Sequence, residues 1–339
     1  MSTKKSLVLF GTLVLAALLM VACAGTEGPA GPAGPAGPAG PTGPAGPAGP
    51  AGADGTAMTC TECHNDTTVI VSAVAQFEEN SVHGSGESYI RGQVATCAGC
   101  HGHEGAKARI NAGVGQNHES IANVANVSPF NCRTCHEIHV TYTAADWALV
   151  GGGQPAKMDF TAGTFDGGAG NLCAACHQSR AAVPVATDGN FEITSPRFGP
   201  HYGIEAQMLL GEAGAGVEDR ATGHYTIQDT CVACHMGADS NHTYLPNVAR
   251  CEACHSGAQN FDVGGVQTEV KAQLEELKGL LVAAGALNAE TEMAIPGVYS
   301  EAVASAFWNY KVVKYDGSYG VHNPGYTKSL LEFSIESLK

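Results

Sequence analysis

The sequence predicts a loop-rich fold of short α-helices, with longer C-terminal helices and little β-structure. Three observations carry that expectation. The first is a motif of two cysteines spaced by two residues and followed at once by histidine, which occurs six times. Its copies are Cys60, Cys63 and His64; Cys97, Cys100 and His101; Cys132, Cys135 and His136; Cys173, Cys176 and His177; Cys231, Cys234 and His235; and Cys251, Cys254 and His255. The 339 residues include 44 glycines, with only 14% charged and 6% aromatic side chains, which is thin material for an ordinary core. Sustained helical periodicity begins only near residue 263.

The spacing of the motif has a chemical reason. Positions i and i+3 share a helical face, so both thiols can form thioethers with the two vinyl groups of one porphyrin. The histidine that follows sits beneath the iron as its proximal ligand. Zinc ribbons, redox dithiols and disulfides also use CxxC pairs. A zinc site does not require histidine after every second cysteine, and a dithiol oxidoreductase carries one such motif. Six matches in six point to a multihaem cytochrome c holding six c-type haems. Porphyrins then supply the apolar bulk that the composition lacks. Twelve of the thirteen cysteines belong to motifs, which leaves Cys23 and no structural disulfide.

Residues 1–22 read as a targeting segment. Lys4 and Lys5 precede an apolar run from Ser6 to Val21 that is short for a stable span. The run ends Met20-Val21-Ala22-Cys23, which resembles a lipobox whose cysteine becomes the lipidated first residue; Met20 stands where leucine is usual. Ala24 resembles the second residue of lipoproteins sent to the outer membrane. Cleavage would remove two lysines and no acid, leaving a chain still more acidic than the full-length charge of −15. That balance argues against a nucleic-acid partner.

From Gly28 to Ala57 the chain runs through ten Gly-X-Y triplets, eight of them Gly-Pro-Ala or Gly-Pro-Thr. Such a tract builds either a short trimerising triple helix or a stiff solvated spacer. The spacer is favoured, since ten triplets is short; extended, it would reach roughly 90 Å. Residues 23–57 therefore form the lipidated cysteine and spacer, 58–262 the haem-binding part, and 263–339 a C-terminal helical segment packed on it.

Within 58–262 the intervals between motifs follow no strict repeat, and Asn, Gly, Ser and Thr dominate the connections. One-turn to three-turn helices at the motifs are expected. Fourteen histidines less six proximal ones leave eight. His201, His224 and His242 lie in turn-rich settings able to present a ring to iron. His83 and His118 each precede a motif by a short loop. His139 follows His136 by three residues, and His322 sits in Tyr319-Gly-Val-His-Asn-Pro324. These seven are the candidate second ligands; His103, two residues past His101, reads as a surface histidine. A surplus of histidines over irons favours bis-histidine ligation throughout, with methionine ligation not required.

The C-terminal pattern is clearer. Val266, Val270, Leu274, Leu277 and Leu281 keep helical spacing, and Gly285 is placed to end the helix. A second helix is expected from Ser300, with Val303, Phe307 and Tyr310 on one face and Trp308 nearby. Asn323-Pro324 provides an N-cap followed by proline at the first helical position, opening a third helix through Tyr326, Leu330, Phe333 and Leu338.

Taken with Cys132-Arg-Thr-Cys-His-Glu-Ile-His139, the Gly-Pro-His201 segment and the Val-His322-Asn-Pro segment, the six motifs make residues 58–339 resemble the multihaem c-type cytochromes of metal-reducing bacteria, in particular their outer-surface lipoproteins. In such proteins a histidine placed like His139 reaches an adjacent haem, and one placed like His322 is a late distal ligand. The resemblance implies extracellular respiration. Electrons would pass from periplasmic or outer-membrane redox proteins to a mineral, an electrode or a partner cell, with the membrane reached through the lipid anchor. Some relatives polymerise, so a homo-oligomer or filament is an open alternative. The chain lacks the CxxCK motif of ammonia-forming nitrite reductases. Three function classes follow: an electron relay with saturated irons, a reductase with one open iron, and a filament subunit.

Overall fold

Among the described residues, short helices joined by long irregular connections come first, and the longest helices follow from Val266 onward. The computed structural model describes residues 69–339 apart from 88, 117, 119, 120, 122, 123 and 125. The first motif, with Cys60, Cys63 and His64, lies outside the described residues. So do Cys23, the targeting segment and the Gly-X-Y tract.

The described helices are α1 (Val69–Asn80), α2 (Val82–Ser85), α3 (Tyr89–Gly92), α4 (Ala95–His101), α5 (His103–Ala112), α6 (Cys132–Cys135), α7 (Asn171–Ala174), α8 (Glu205–Leu210), α9 (Thr230–His235), α10 (Val266–Ala283), α11 (Glu301–Asp316) and α12 (Pro324–Ser337). Two antiparallel ribbons complete the set. β1 (Ala156–Lys157) pairs with β2 (Thr164–Phe165), and β3 (Asn190–Ile193) pairs with β4 (Gly297–Ser300). The second ribbon ties the C-terminal segment to the connection that precedes His201.

Local chemistry sets the helix ends. Asn131 caps α6 by accepting from Arg133 N–H at 3.0 Å while Thr134 reaches back to the Asn131 N–H, a reciprocal capping box. Asn323 caps α12 through a 3.1 Å bond from Tyr326 N–H, and Pro324 follows at the first position. Its amide also donates to the Met208 carbonyl at 3.1 Å and the Arg220 carbonyl at 2.7 Å, so the same residue fixes α12 to α8.

The largest core lies among α10, α11 and α12. Val270, Leu274, Leu277 and Leu281 of α10 meet Phe307, Trp308, Val312 and Val313 of α11 and Tyr326, Leu330 and Leu331 of α12. Ile193, Ile204 and Met208 join from the preceding part of the chain. The single apolar face expected for α11 is not what forms: every residue from Ala304 to Val313 is buried. A helix enclosed on all sides needs partners for its polar groups. Trp308 Nε1 donates to the Ala213 carbonyl at 2.7 Å, and Asn309 bonds both backbone groups of Ala215 at 2.7 and 2.9 Å and Ser334 Oγ at 3.0 Å. Among the described residues no helix is long and apolar enough to cross a membrane.

Candidate functional site

Five of the six motifs fall within the described residues, and each makes one helical turn. The sixth, with attachment cysteines Cys60 and Cys63 and proximal His64, is not among them. Cys97, Cys100 and His101 lie in α4, and Cys231, Cys234 and His235 in α9. Cys132 and Cys135 span α6 with His136 just past it; Cys173 lies in α7, with Cys176 and His177 beyond its end. Cys251 lies in a 3₁₀ turn over Val248–Ala253, and Cys254 caps that turn instead of belonging to it.

Where regular helix stops short, the turn still closes. The Cys254 N–H donates to the Cys251 carbonyl at 3.1 Å. The backbone N–H groups of His136, His177 and His255 donate to the carbonyls of Cys132, Cys173 and Cys251 at 2.9, 2.9 and 2.7 Å. Both sulfurs and the imidazole are thereby held on one face. Cys132 and Cys254 are exposed, while the other described motif cysteines are half-buried.

Each of these five histidines faces a second histidine. Ring centroids stand 6.3 Å apart for His101 and His201, 6.3 Å for His136 and His242, 6.0 Å for His177 and His83, 6.3 Å for His235 and His322, and 6.1 Å for His255 and His224. An iron bound by an imidazole nitrogen at about 2 Å on either side, with each ring centre about 1.1 Å further out, calls for centroids about 6.2 Å apart. Other ring pairs here approach more closely, such as Tyr202 and Tyr315 at 4.2 Å or His83 and Tyr244 at 5.0 Å. Nor do the described residues bring together three or more His, Cys, Asp or Glu side chains as a bare metal ion would need. Histidines that meet in twos, each beside two cysteine sulfurs, fit a metal whose other donors come from a macrocycle.

Hydrogen bonds fix which ring nitrogen is available. Nδ1 of His136, His235 and His224 lies 2.8, 2.8 and 2.7 Å from the carbonyls of Trp147, Tyr244 and Val321. A carbonyl only accepts, so each Nδ1 carries the proton and each Nε2 keeps its lone pair for a metal. Nδ1 of His322 lies 2.6 Å from Asp316 Oδ1, and Nδ1 of His177 lies 3.1 Å from Glu205 Oε2. The buried Nδ1 of His83 has no hydrogen-bond partner.

The electrostatics divide the rings into two groups. Burial, reinforced by His177, holds His83 down at about 4, and burial with Arg180 and His101 does the same to His201. Burial also lowers His235 and His242. These rings are neutral at ordinary pH, the form that binds a metal. Burial opposes charge on His322 too, but Asp316 overrides it and pushes the ring up to about 9. Glu205 likewise raises His177 against the effect of burial.

The sulfurs of different motifs converge. Cys100 and Cys176 are within hydrogen-bonding reach of each other, as are Cys173 and Cys231. Cys135 is close enough to influence Cys173 and Cys176, and Cys251 to influence Cys234. The motif of Cys173 and Cys176 thus sits between three others. Tyr244 lies at the same place: its ring is 5.0 Å from that of His83 and 6.0 Å from that of His242, and its carbonyl receives His235 Nδ1. Beside them the buried Arg109 donates to Cys100 Sγ at 2.9 Å and pairs with Asp159 at 2.9 Å.

The candidate histidines divide accordingly. His83, His201, His224, His242 and His322 each face a motif histidine. His118 and His139 are exposed, and His139 stacks on Tyr142 at 5.5 Å. His103 opens α5, half-buried where a surface position was expected, and bonds Thr134 Oγ1 at 2.8 Å. Asp316, Glu205 and Tyr244 were not singled out from sequence. An acid six residues before a candidate ligand histidine was a readable signal for Asp316. Nothing comparable marks the others.

No protein-family profile matches the chain, and no curated protein matches it. Among solved structures it is similar to the crystal structure of outer cell wall cytochrome OcwA, with 23% identity and a TM-score of 0.42 over 64% of this chain. The match spans 41% of that protein, less than half its length. A likeness so shallow carries neither fold nor function across.

Proposed function

We propose that the protein is an electron-transfer cytochrome carrying six c-type haems, with the motif histidines as proximal ligands and a second histidine opposite each described one. The observation that carries this reading is the set of five facing imidazole pairs at 6.0–6.3 Å, each beside a CxxC turn. When bound, the haem irons supply one-electron chemistry. The chain's part is to fix Nδ1 of His136, His177, His224, His235 and His322, to set a second imidazole opposite each described motif histidine so that both would bind the iron, and to hold the attachment sulfurs of neighbouring motifs together. Filling both positions leaves no coordination site for a substrate, which favours a relay over a reductase. Converging sulfurs, Cys100 with Cys176 and Cys173 with Cys231, favour short steps between cofactors. For the first motif, Cys60 and Cys63 would hold the porphyrin and His64 would be the proximal ligand. His118 and His139 are the remaining candidates to lie opposite His64.

Around this core we place the protein at the outer surface of a bacterial cell, anchored through a lipidated Cys23 and spaced from the bilayer by the Gly-X-Y tract. It would receive electrons from periplasmic or outer-membrane redox proteins and pass them to an extracellular acceptor. The acidic charge of the chain is the supporting observation against a nucleic-acid partner.

Denaturing mass spectrometry of the holoprotein is expected to show six covalent haems, and low-temperature electron paramagnetic resonance of the oxidised form only low-spin signals. A carbon-monoxide difference spectrum at full haem stoichiometry should be nearly featureless. Strong gas binding at one iron per chain would replace the relay with a reductase, and fewer than six haems would mean an idle motif. Cys23→Ser should release the protein from outer membranes with its haem content intact; continued fractionation with outer membranes would remove the anchor from the reading.

A further inference from the structure

We propose that Asp316 is a positioning residue that lowers the reduction potential of the iron between His235 and His322, and that Glu205 acts in the same sense, more weakly, on the iron between His177 and His83. The inference rests on the ligand pairs proposed above.

The carboxylate of Asp316 is buried and divides its two oxygens between Ser318 and His322. Its side chain is 1% exposed, against 19% for His322. Oδ2 receives the Ser318 N–H at 3.3 Å and the Ser318 hydroxyl, and Oδ1 is left to face His322 Nδ1 at 2.6 Å. The Ser318 hydroxyl oxygen also accepts the His322 N–H at 3.2 Å, so acid and imidazole are held by one short loop. Helix stability does not account for the acid. Asp316 is the last residue of α11, where the helix dipole is negative and a buried carboxylate is disfavoured. What stabilises it there are the Ser318 donors and the imidazole.

The consequence for the iron follows from charge. The ferric state carries one more positive charge than the ferrous state. A carboxylate bonded to a ligand N–H, in surroundings that screen poorly, therefore favours ferric iron. It also draws the Nδ1 proton away and makes Nε2 a stronger donor, which acts in the same direction. At this pair both rings donate from Nδ1, His322 to a carboxylate and His235 to the Tyr244 carbonyl. Glu205 is less well placed. Its oxygen is 3.1 Å from His177 Nδ1, against 2.6 Å between Asp316 and His322, so its effect is the weaker. The pairs His136–His242 and His255–His224 have only neutral carbonyl partners in view, at Trp147 and Val321. Their potentials should lie higher. Because Cys173 and Cys231 adjoin, the two carboxylate-backed irons would be neighbours, forming a low-potential centre inside the relay.

Spectroelectrochemical titration of the complete holoprotein and its Asp316→Asn variant tests this. Asparagine keeps the shape and one oxygen but removes the charge. One resolved component is expected to move to higher potential while the others stay and all irons remain low-spin; Asp316→Glu should restore most of the shift. Glu205→Gln should move a different component upward by less, and serves alone if the Asp316 variants do not load haem. Unchanged potentials in variants that remain low-spin overturn the inference. The ligand assignment fails separately: His322→Gly should leave one iron high-spin, and if it leaves every iron low-spin the assignment itself is wrong.

Discussion

Replacing His201 with glycine separates the role of its ring from the stability of its turn. The residue has φ +77°, between Gly199 at +141° and Gly203 at +86°. A left-handed conformation costs a non-glycine residue about 1 kcal/mol, which glycine avoids. Against this, glycine gives the unfolded chain more freedom, worth about the same amount. The two effects cancel to within about 1 kcal/mol, so His201→Gly should fold and load haem while losing only the imidazole 6.3 Å from His101. One iron in six then lacks its sixth ligand. Electron paramagnetic resonance should show a ferric high-spin signal integrating to about a sixth of the haem, and the reduced protein should take up one carbon monoxide per chain. Added imidazole should reverse both changes by filling the space the ring left. If the variant stays low-spin at all six irons and takes up no gas, His201 is not a ligand, and the inference from ring separation fails with it.

Other substitutions probe the scaffold. Burial lowers Lys311 from 10.5 to about 8, so between those pH values the unfolded chain binds more protons and stability rises with pH. Lys311→Met should therefore stabilise the protein at pH 7 by about 1–2 kcal/mol, net of the lost 2.7 Å bond to the Glu292 carbonyl, and the gain should vanish near pH 10.5 in calorimetry across pH. Arg109→Ala strands Asp159, whose side chain is 10% exposed, and should cost about 3–5 kcal/mol in denaturant unfolding; a cost below 1 kcal/mol would show the pair to be dispensable. Asn309→Leu leaves both backbone groups of buried Ala215 unpaired and should cost about 3 kcal/mol without altering the spin state of any iron.

The parts of this architecture that were legible in the sequence are those encoded by neighbours in the chain. CxxCH is a one-turn signal, and the starts at Ser300 and Asn323 and the stop at Gly285 are local backbone chemistry, so motifs and C-terminal helices could be placed from residue types alone. Partnership could not. His83 lies a short loop before Cys97, yet its ring faces His177; His242 lies between the last two motifs, yet it faces His136. Such pairings depend on how loops cross in space, and no periodicity records them. The hydrogen-bond acceptors were still less visible. Trp147, Tyr244 and Val321 act through backbone carbonyls, which every residue possesses.

The C-terminal helices read from sequence as plain core, yet their packing reaches the site. The Ser318–Asn323 loop joins α11 to α12, and three contacts at this junction serve histidines: Asp316 and Ser318 hold His322, and the Val321 carbonyl fixes His224. His322 faces His235 and His224 faces His255, so the last two motifs both depend on this one loop. The loop in turn is set by two helix ends. Gly317 takes φ +69° to stop α11 directly after Asp316, and Asn323 anchors α12 to Met208 and Arg220. A helix enclosed on every side, as α11 is, can shift little without breaking the Trp308 and Asn309 bonds to Ala213 and Ala215. Rigidity of the core is thus transmitted to the imidazoles through two caps and a carboxylate. The boundary drawn at residue 263 divides the chain where its pattern changes, but the pairing of histidines crosses it.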